Sequence, residues 1–288
     1  MSSEHVAFVG VGAIGLPMAA QIAARGFPVV GVDPFPAARD RANEEGLPSA
    51  ARFTELEQRP DLVIVMVASP EQLADLVTEA VAGDVQDQAW VVMSTVGPEA
   101  IRREGQRLEA AGARVADVPV TGGVARARTG ELTLFAAAEP ALLEQVRPVL
   151  ECLGTVRPVG EDLGEGQAVK VVNQHLCSVH IVAAAEAMHL AHELGMDPAK
   201  ALDLVGSGAG ASWMLSDRGP RMLADTDVAV TSTINIFVKD SGLVAEAADG
   251  VGAQIPLLRV AQERYHRAVE LGLAQRDDSR VIETYSTR

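Results

Sequence analysis

Apolar residues follow two rhythms along the chain. In the first half they gather in short, β-branched, nearly continuous runs at residues 5–10 (HVAFVG), 28–33 (PVVGVD), 61–67 (DLVIVMV), 89–94 (AWVVMS), 113–120 (ARVADVPV) and 132–138 (LTLFAAA). Runs of this length without polar alternation predict strands buried on both faces of a parallel-type sheet. Between most of them lie stretches of helical spacing, 13–25, 36–45, 70–81 and 98–110, bounded by Gly or Pro. That alternation predicts a doubly wound α/β domain. After about residue 162 the strand rhythm stops, and 165–194, 197–206, 234–249 and 255–271 are rich in Ala and Leu at helical spacing. The expected architecture is an α/β domain over 1–162 and an all-α domain over 163–288, joined by a long helix after the glycine-rich, charged VGEDLGEG segment.

With 288 residues, 48% of them apolar, the chain can bury the core of one large or two ordinary domains. Its 24 basic and 39 acidic residues leave a formal charge of −15, which repels polyphosphates and argues against nucleic-acid binding. An anionic ligand must therefore meet locally placed cations. Lysines are scarce enough to be informative: only Lys170, Lys200 and Lys239 occur. The two cysteines, Cys152 and Cys177, lack CxxC or His-rich spacing, so neither a disulfide framework nor a metal site is expected. A reducing, cytoplasmic setting fits. Glu4 and the absence of a basic stretch before the first apolar run argue against a signal peptide. Apolar segments are interrupted well short of the roughly 20 residues that span a bilayer, so no membrane association is expected.

Gly10-Val11-Gly12-Ala13-Ile14-Gly15 follows the first strand and opens the first helix. In such a loop Gly10 makes the tight turn, Gly12 admits a pyrophosphate to the backbone, and Gly15 packs helix against strand. The helix N-terminus then faces the pyrophosphate. The second strand ends in Asp33, 18 residues beyond Gly15, placed to bind a ribose 2′-hydroxyl and repel a 2′-phosphate. These features predict a Rossmann-type domain with NAD favoured over NADP; glycines of an ordinary βα turn are the plain alternative. Met66, Val67 and Thr95 fall at later strand ends, where loops should line the nicotinamide half, though Thr95 also reads as a simple turn residue.

Three further segments accompany this loop: Asp117-Val118-Pro119-Val120-Thr121-Gly122-Gly123, Gly166-Gln167-Ala168-Val169-Lys170-Val171-Val172-Asn173, and Phe237-Val238-Lys239-Asp240. In order and spacing the four together resemble the β-hydroxyacid dehydrogenase family, which includes 3-hydroxyisobutyrate dehydrogenases and tartronate semialdehyde reductases. The resemblance covers essentially the whole chain. It implies that Thr121, where the family more often has Ser, holds a substrate carboxylate with Gly122 and Gly123. It implies further that Lys170 is the catalytic residue and Asn173 its amide partner, that Lys239 contacts cofactor and substrate, and that Asp240 supports the local structure. A finer likeness, through Val179-His180-Ile181, Ala185-Glu186-Ala187-Met188, Ser212-Trp213-Met214 and Asp277-Asp278-Ser279, is to the L-threonate dehydrogenase branch, which oxidises a four-carbon sugar acid at C2.

The residues support that chemistry on their own terms. On a helix, Lys170, Asn173 and Gln174 stand at i, i+3 and i+4 and share a face. Oxidising a secondary alcohol needs a base for the hydroxyl proton, and an unperturbed lysine with pKa about 10.4 is a poor one. Burial among Val169, Val171 and Val172 and a nearby second cation would lower it. The bland reading of Lys170 is a solvated helix lysine, and that of Lys239 an ion pair with Asp240. His175, His180, His189 and His192 lack metal-site spacing and read as packing or surface residues, His180 also as a contact for a polyol hydroxyl. Ser212 and Trp213 read as a helix start or as substrate lining. The expected partners are a small anionic hydroxy acid and further copies of the chain in a homodimer or homotetramer. Oxidation of 3-hydroxyisobutyrate or reduction of tartronate semialdehyde is the alternative within the family. Imine reduction would replace the catalytic lysine with another acid, so Lys170 opposes it; decarboxylating phosphogluconate relatives have a longer helical domain and need phosphate-binding basic residues, for which this C-terminal half offers few candidates; and retention of Lys170 and Asn173 opposes a non-enzymatic cofactor-binding sensor or scaffold.

Overall fold

The computed structural model describes residues 5–224 and 227–285. Glu4, cited above against a signal peptide, lies outside them. The chain forms two compact units, 1–170 and 171–288, and the division falls within one long helix.

The first unit opens β1 (Val6–Val9), α1 (Gly15–Ala24), β2 (Val29–Val32), α2 (Pro36–Glu44), β3 (Ser49–Ala50), β4 (Leu62–Val65), α3 (Pro70–Ala80), β5 (Ala89–Val92) and α4 (Pro98–Ala110). It continues through β6 (Arg114–Asp117), β7 (Val120–Thr121), α5 (Gly123–Thr129), β8 (Leu132–Ala137), α6 (Pro140–Leu150) and β9 (Gly154–Gly160) to α7 (Glu165–Glu193). Among the described residues the strands form one sheet in the order β3-β2-β1-β4-β5-β6-β8-β7, with β9 on the other side of β8. Pairing is parallel from β3 to β6. The strand order reverses between β1 and β4, the crevice where open α/β sheets bind ligands.

All four residues of β1, β4 and β5 are buried, as continuous apolar runs in a two-sided sheet require. Alternate positions feed opposite cores: Phe8, Ile64 and Val91 one, Ala7, Val63 and Trp90 the other. Each large side chain removed from water in this way stabilises the unit by roughly 1.5–3 kcal/mol. Helices start where the sequence favours it, with Pro in the first turn of α2, α3, α4 and α6. One expected strand differs in direction: β8 runs antiparallel to β6 and β7. The chain between β6 and β8 turns back through β7 and the short α5 instead of making a full crossover.

The second unit contains the remainder of α7 with α8 (Pro198–Gly206), α9 (Trp213–Leu223), α10 (Ile234–Val251), α11 (Pro256–Glu270) and a final 3-10 segment, Asp278–Tyr285. Asp197, Ser212 and Thr233 cap α8, α9 and α10 by accepting backbone N–H bonds. Ile181, Ala185, Met188, Met214, Phe237, Tyr265 and Val281 form the core. The Phe237 and Tyr265 rings stack at 5.6 Å, and the Tyr265 hydroxyl donates to the Ser178 carbonyl at 2.8 Å. Sequence periodicity does not suggest α9, because Gly219 and Pro220 interrupt it. Gly219 lets Leu202 pack close to α9: a Cβ there would lie 2.6 Å from Leu202 Cδ1, and that side chain would have to turn away.

Candidate active site

The glycine loop has a conformation that other residues could not share. Gly10 has φ 93°, and a Cβ on it would stand 2.2 Å from the Met66 carbonyl oxygen; one on Gly15 would stand 1.9 Å from the Gly10 oxygen. These two glycines bring the ends of β1 and β4 and the start of α1 together. Gly12 differs, since a Cβ there would meet nothing within 4 Å. Its surroundings are open, and α1 has neither a side-chain cap nor an acid in its first turn. A cradle lined by uncapped N–H groups fits a pyrophosphate.

Asp33, at the end of β2, is buried. Its carboxylate accepts from Val11 N at 3.1 Å and Phe35 N at 3.0 Å, so it is held beside the glycine loop with lone pairs remaining for a ribose hydroxyl. Arg39 Nη1 donates to the carbonyl oxygens of Asp33 and Pro34, at 2.8 and 2.9 Å. Half-buried Val67 follows β4, and its N–H donates to Ser94 Oγ at 2.7 Å, which joins this loop to the one carrying Thr95.

Behind Thr95 lies a buried network without an assigned part in the sequence reading. The Gln167 side chain, fully buried at the start of α7, makes four hydrogen bonds. Its Oε1 accepts from Val96 N and Gly97 N, both at 3.0 Å; its Nε2 donates to Ser94 O at 2.9 Å and Asp117 Oδ1 at 3.0 Å. Asp117 Oδ2 accepts from Gly164 N at 3.0 Å and Gln167 N at 2.9 Å, and the Gly166 N–H is a further donor. From the end of β6, Asp117 thus caps a helix about fifty residues away. Burial pushes its carboxyl up to about 6 even though these amide bonds favour the charged form. A Cβ on Gly166 would come within 2.6 Å of the Asp117 carbonyl oxygen, so glycine is needed for the close approach.

Lys170 lies one turn beyond Gln167 and is only 7% exposed. Along α7, Gln167, Lys170, Gln174 and Ser178 are all buried whereas Val172, Leu176 and Leu190 are exposed, so a polar stripe faces inward on the same helix that gives Ile181, Ala185 and Met188 to the core. Thr121 ends β7 opposite Thr133 of β8, separated from β1 in the sheet order by four strands. The sheet therefore does not bring Thr121 beside the glycine loop. Gly122 and Gly123 follow with φ 132° and 70°; a Cβ on Gly123 would meet open space.

In the second unit Asn173 Nδ2 donates to Gln174 Oε1 at 2.8 Å, Gln174 Nε2 donates to Asp240 Oδ2, and Lys239 Nζ lies 2.8 Å from Asp240 Oδ1. Asn173, Gln174, Lys239 and Asp240 thus form one polar cluster linking α7 to α10. Ser212 caps α9, accepting from Leu215 N at 3.0 Å, while Trp213 is half exposed under the Arg218 guanidinium. His180 is half-buried, and His189 stacks on Tyr285 at 5.6 Å. Among the described residues, no cluster of three His, Cys, Asp or Glu could hold a metal, and no helix is long and apolar enough to cross a membrane.

Sequence reasoning quoted Asp117 and Gln167 within motifs but attached no role to either. Two signals point to them: an acid closing an apolar strand, and a glutamine one helical turn before Lys170 on the same face.

The family model described as "NAD binding domain of 6-phosphogluconate dehydrogenase" matches residues 5–188, and that described as "NAD-binding of NADP-dependent 3-hydroxyisobutyrate dehydrogenase" matches 164–285. An L-threonate dehydrogenase of Cupriavidus necator is 35% identical, over 98% of this chain and 96% of its own length. That of Pectobacterium atrosepticum is 33% identical over 99% and 95%. The crystal structure of a 3-hydroxyisobutyrate dehydrogenase from Salmonella typhimurium, 32% identical, superposes with a TM-score of 0.88 over 98% of this chain and 99% of that one.

Proposed function

The chain belongs to the 3-hydroxyisobutyrate dehydrogenase family of NAD(P)-dependent oxidoreductases acting on CH–OH donors, and from that premise we propose that it oxidises L-threonate to its 2-oxo acid with NAD and with Lys170 as acid/base. The observation that carries this reading is the burial of Lys170 in a polar stripe, one turn from the amide that grips the Thr95 loop. NAD, when bound, supplies the acceptor for the hydride leaving C2. Lys170 Nζ takes the hydroxyl proton in oxidation and returns it in reduction. Thr121 Oγ1 and the N–H groups of Gly122 and Gly123 hold the substrate carboxylate, Asn173 orients the hydroxyl or the lysine, and Lys239 adds positive charge for the anion. Gly10, Val11, Gly12, Ala13, Ile14 and Gly15 cradle the pyrophosphate, Met66, Val67 and Thr95 line the nicotinamide half, and Asp33 takes the ribose. The preference for NAD is supported by the Asp33 carboxylate at the ribose position and by the tethering of Arg39 to backbone carbonyls.

In this reading 1–162 binds NAD, and 163–288 carries the substrate and oligomer contacts of a cytoplasmic homodimer or homotetramer. The exposed Val172, Leu176 and Leu190 on α7, with Leu194 just beyond it, support association. A second reading, oxidation of 3-hydroxyisobutyrate, is favoured by the Salmonella structure.

The test measures reduced-nicotinamide absorbance with threonate, erythronate, glycerate and 3-hydroxyisobutyrate, and with tartronate semialdehyde in reverse, each with NAD and NADP. Threonate with NAD should have the highest kcat/KM; a higher value for 3-hydroxyisobutyrate would replace the substrate assignment. Lys170→Ala should lower kcat by about 10²- to 10⁴-fold while leaving NAD affinity nearly intact, and unchanged turnover would sink the lysine mechanism.

A further inference from the structure

We propose that Asp117 and Gln167 form a positioning latch that sets Lys170 in register with the Thr95 loop. The inference rests on the reading of Lys170 as acid/base and adds two residues that touch neither substrate nor cofactor.

The geometry allows one arrangement of the Gln167 amide. Both amide hydrogens and both oxygen lone pairs are used, toward Ser94 O, Asp117 Oδ1, Val96 N and Gly97 N. Two of those partners, Ser94 and Val96, flank Thr95 directly in the chain, and Gly97 is the next residue along. The fourth, Asp117, also takes backbone N–H groups from the first turn of α7, the turn preceding Lys170. One amide therefore holds the loop proposed to meet the nicotinamide and the helix bearing the proposed base. Proton and hydride must leave the same carbinol centre, so the relative placement of these two elements bears on the rate.

Ionised, Asp117 offers only acceptors to these amide N–H groups, and its charge complements the N-terminus of α7. The neighbouring charged groups are Glu165, whose Oε2 accepts from Asp162 N at 3.0 Å, and Arg102 on α4, whose Nε donates to Leu163 O at 3.2 Å and whose Nη1 pairs with Glu99. Glu161 lies on the loop into α7, and Lys170 itself one turn further along it. The groups hydrogen-bonded to the Asp117 carboxylate are amides, and burial places its titration at about 6.

The first test needs no substrate. Backbone hydrogen exchange in residues 164–168 of the full chain, corrected for the intrinsic rate, should lose about tenfold protection when the latch is broken. Asp117→Asn should show that lower protection at every pH, because its amide nitrogen faces Gln167 Nε2. The second test is kinetic. At about pH 8, Asp117→Asn and Gln167→Glu should each lower kcat about 10- to 100-fold, with KM and NAD affinity changed less than about threefold. Gln167→Glu puts two carboxylates against each other, which share a proton only at low pH, so its kcat relative to that of the wild type should recover as pH falls. Titration of Lys170 is common to all these proteins and cancels in the comparison.

Wild-type kcat and exchange in both variants would overturn the latch. So would loss of NAD affinity and thermal stability in proportion to kcat, which is what a purely structural role gives. Wild-type protein that turns over none of the hydroxy acids would sink the functional reading alone, since the exchange measurement judges the latch independently.

Discussion

Asp117 at the end of β6 and Asp277 in the helical unit are both closed to solvent, Asp117 the more deeply enclosed, and they are held in opposite ways. Asp117 is surrounded by amides and burial lifts it to about 6. Burial opposes the charge on Asp277 as well, but the Ser279 hydroxyl at 2.6 Å, Thr231 N at 2.9 Å and Arg221 Nε at 3.1 Å outweigh it and hold the carboxyl at about 2. Asp278 beside it is raised by burial, and by its charged neighbour Asp277, despite Arg218 Nη2 at 2.8 Å. Burial alone does not decide the state of a carboxylate. What decides it is whether a cation and hydroxyls accompany the amides, and whether another acid competes for them. The amide-only site is left able to titrate near neutrality; the cationic one behaves as a fixed joint.

The strongest way to break the comparison is to remove a cation from the joint. Arg218→Met leaves Asp278 buried without its paired guanidinium and should cost the helical unit about 3–5 kcal/mol. The chain has two tryptophans, Trp90 in the sheet and Trp213 in the helical unit, so single Trp→Phe backgrounds allow each unit to be followed separately by fluorescence during urea unfolding. The loss should appear in the Trp213 transition and leave the Trp90 transition in place. An unchanged Trp213 midpoint would mean that the joint contributes nothing to folding.

Next in size are pH effects of opposite sign. The folded value of Asp117 lies above the ordinary carboxylate range, so its contribution to stability is present below about pH 4 and lost as pH rises through about 6. The folded value of Asp277 lies below that range, so its contribution is present above about pH 4 and lost as pH falls toward about 2. Each effect is on the order of 2–3 kcal/mol. Subtracting the pH-dependent stability of Asp117→Asn from wild type should give a curve that falls with pH, and the same subtraction for Asp277→Asn one that rises. Curves of the same sign would dissolve the contrast.

The two regions also differ in how far they could be read in advance. The loop from Gly10 to Gly15 and the acid at Asp33 were legible because a strand, a turn and a helix N-terminus are local in sequence, and the buried runs of β1, β4 and β5 carried the parallel sheet with them. The Asp117–Gln167 network was not, because its partners come together only once β5, β6 and the start of α7 are side by side. The two-residue β3 and β7 lack the length for a rhythm, the seven-residue β9 has its apolar run broken by Arg157 and Pro158, and Gly219-Pro220 hides α9. Asp277-Asp278-Ser279 was noticed as a resemblance, but nothing local shows that these acids would be buried against arginines from α9. The roles of Thr121, Asn173 and Lys239 came from the resemblance and not from any pattern in the residues.

The smallest expected effect sharpens the comparison most, because it separates cation from hydroxyl. Ser279→Ala removes the shortest bond to Asp277 and leaves Arg221 and Thr231 in place. Losing one neutral donor should cost about 1 kcal/mol, and NMR titration of the Asp277 carboxyl should show it rising from its low position while staying below the ordinary range. If instead it climbs toward Asp117, the hydroxyls and not the guanidinium set the difference between the two sites. The amides around Asp117 would then be deficient only in number, and adding a hydroxyl donor near Gly164 should be enough to fix that carboxylate in its charged form.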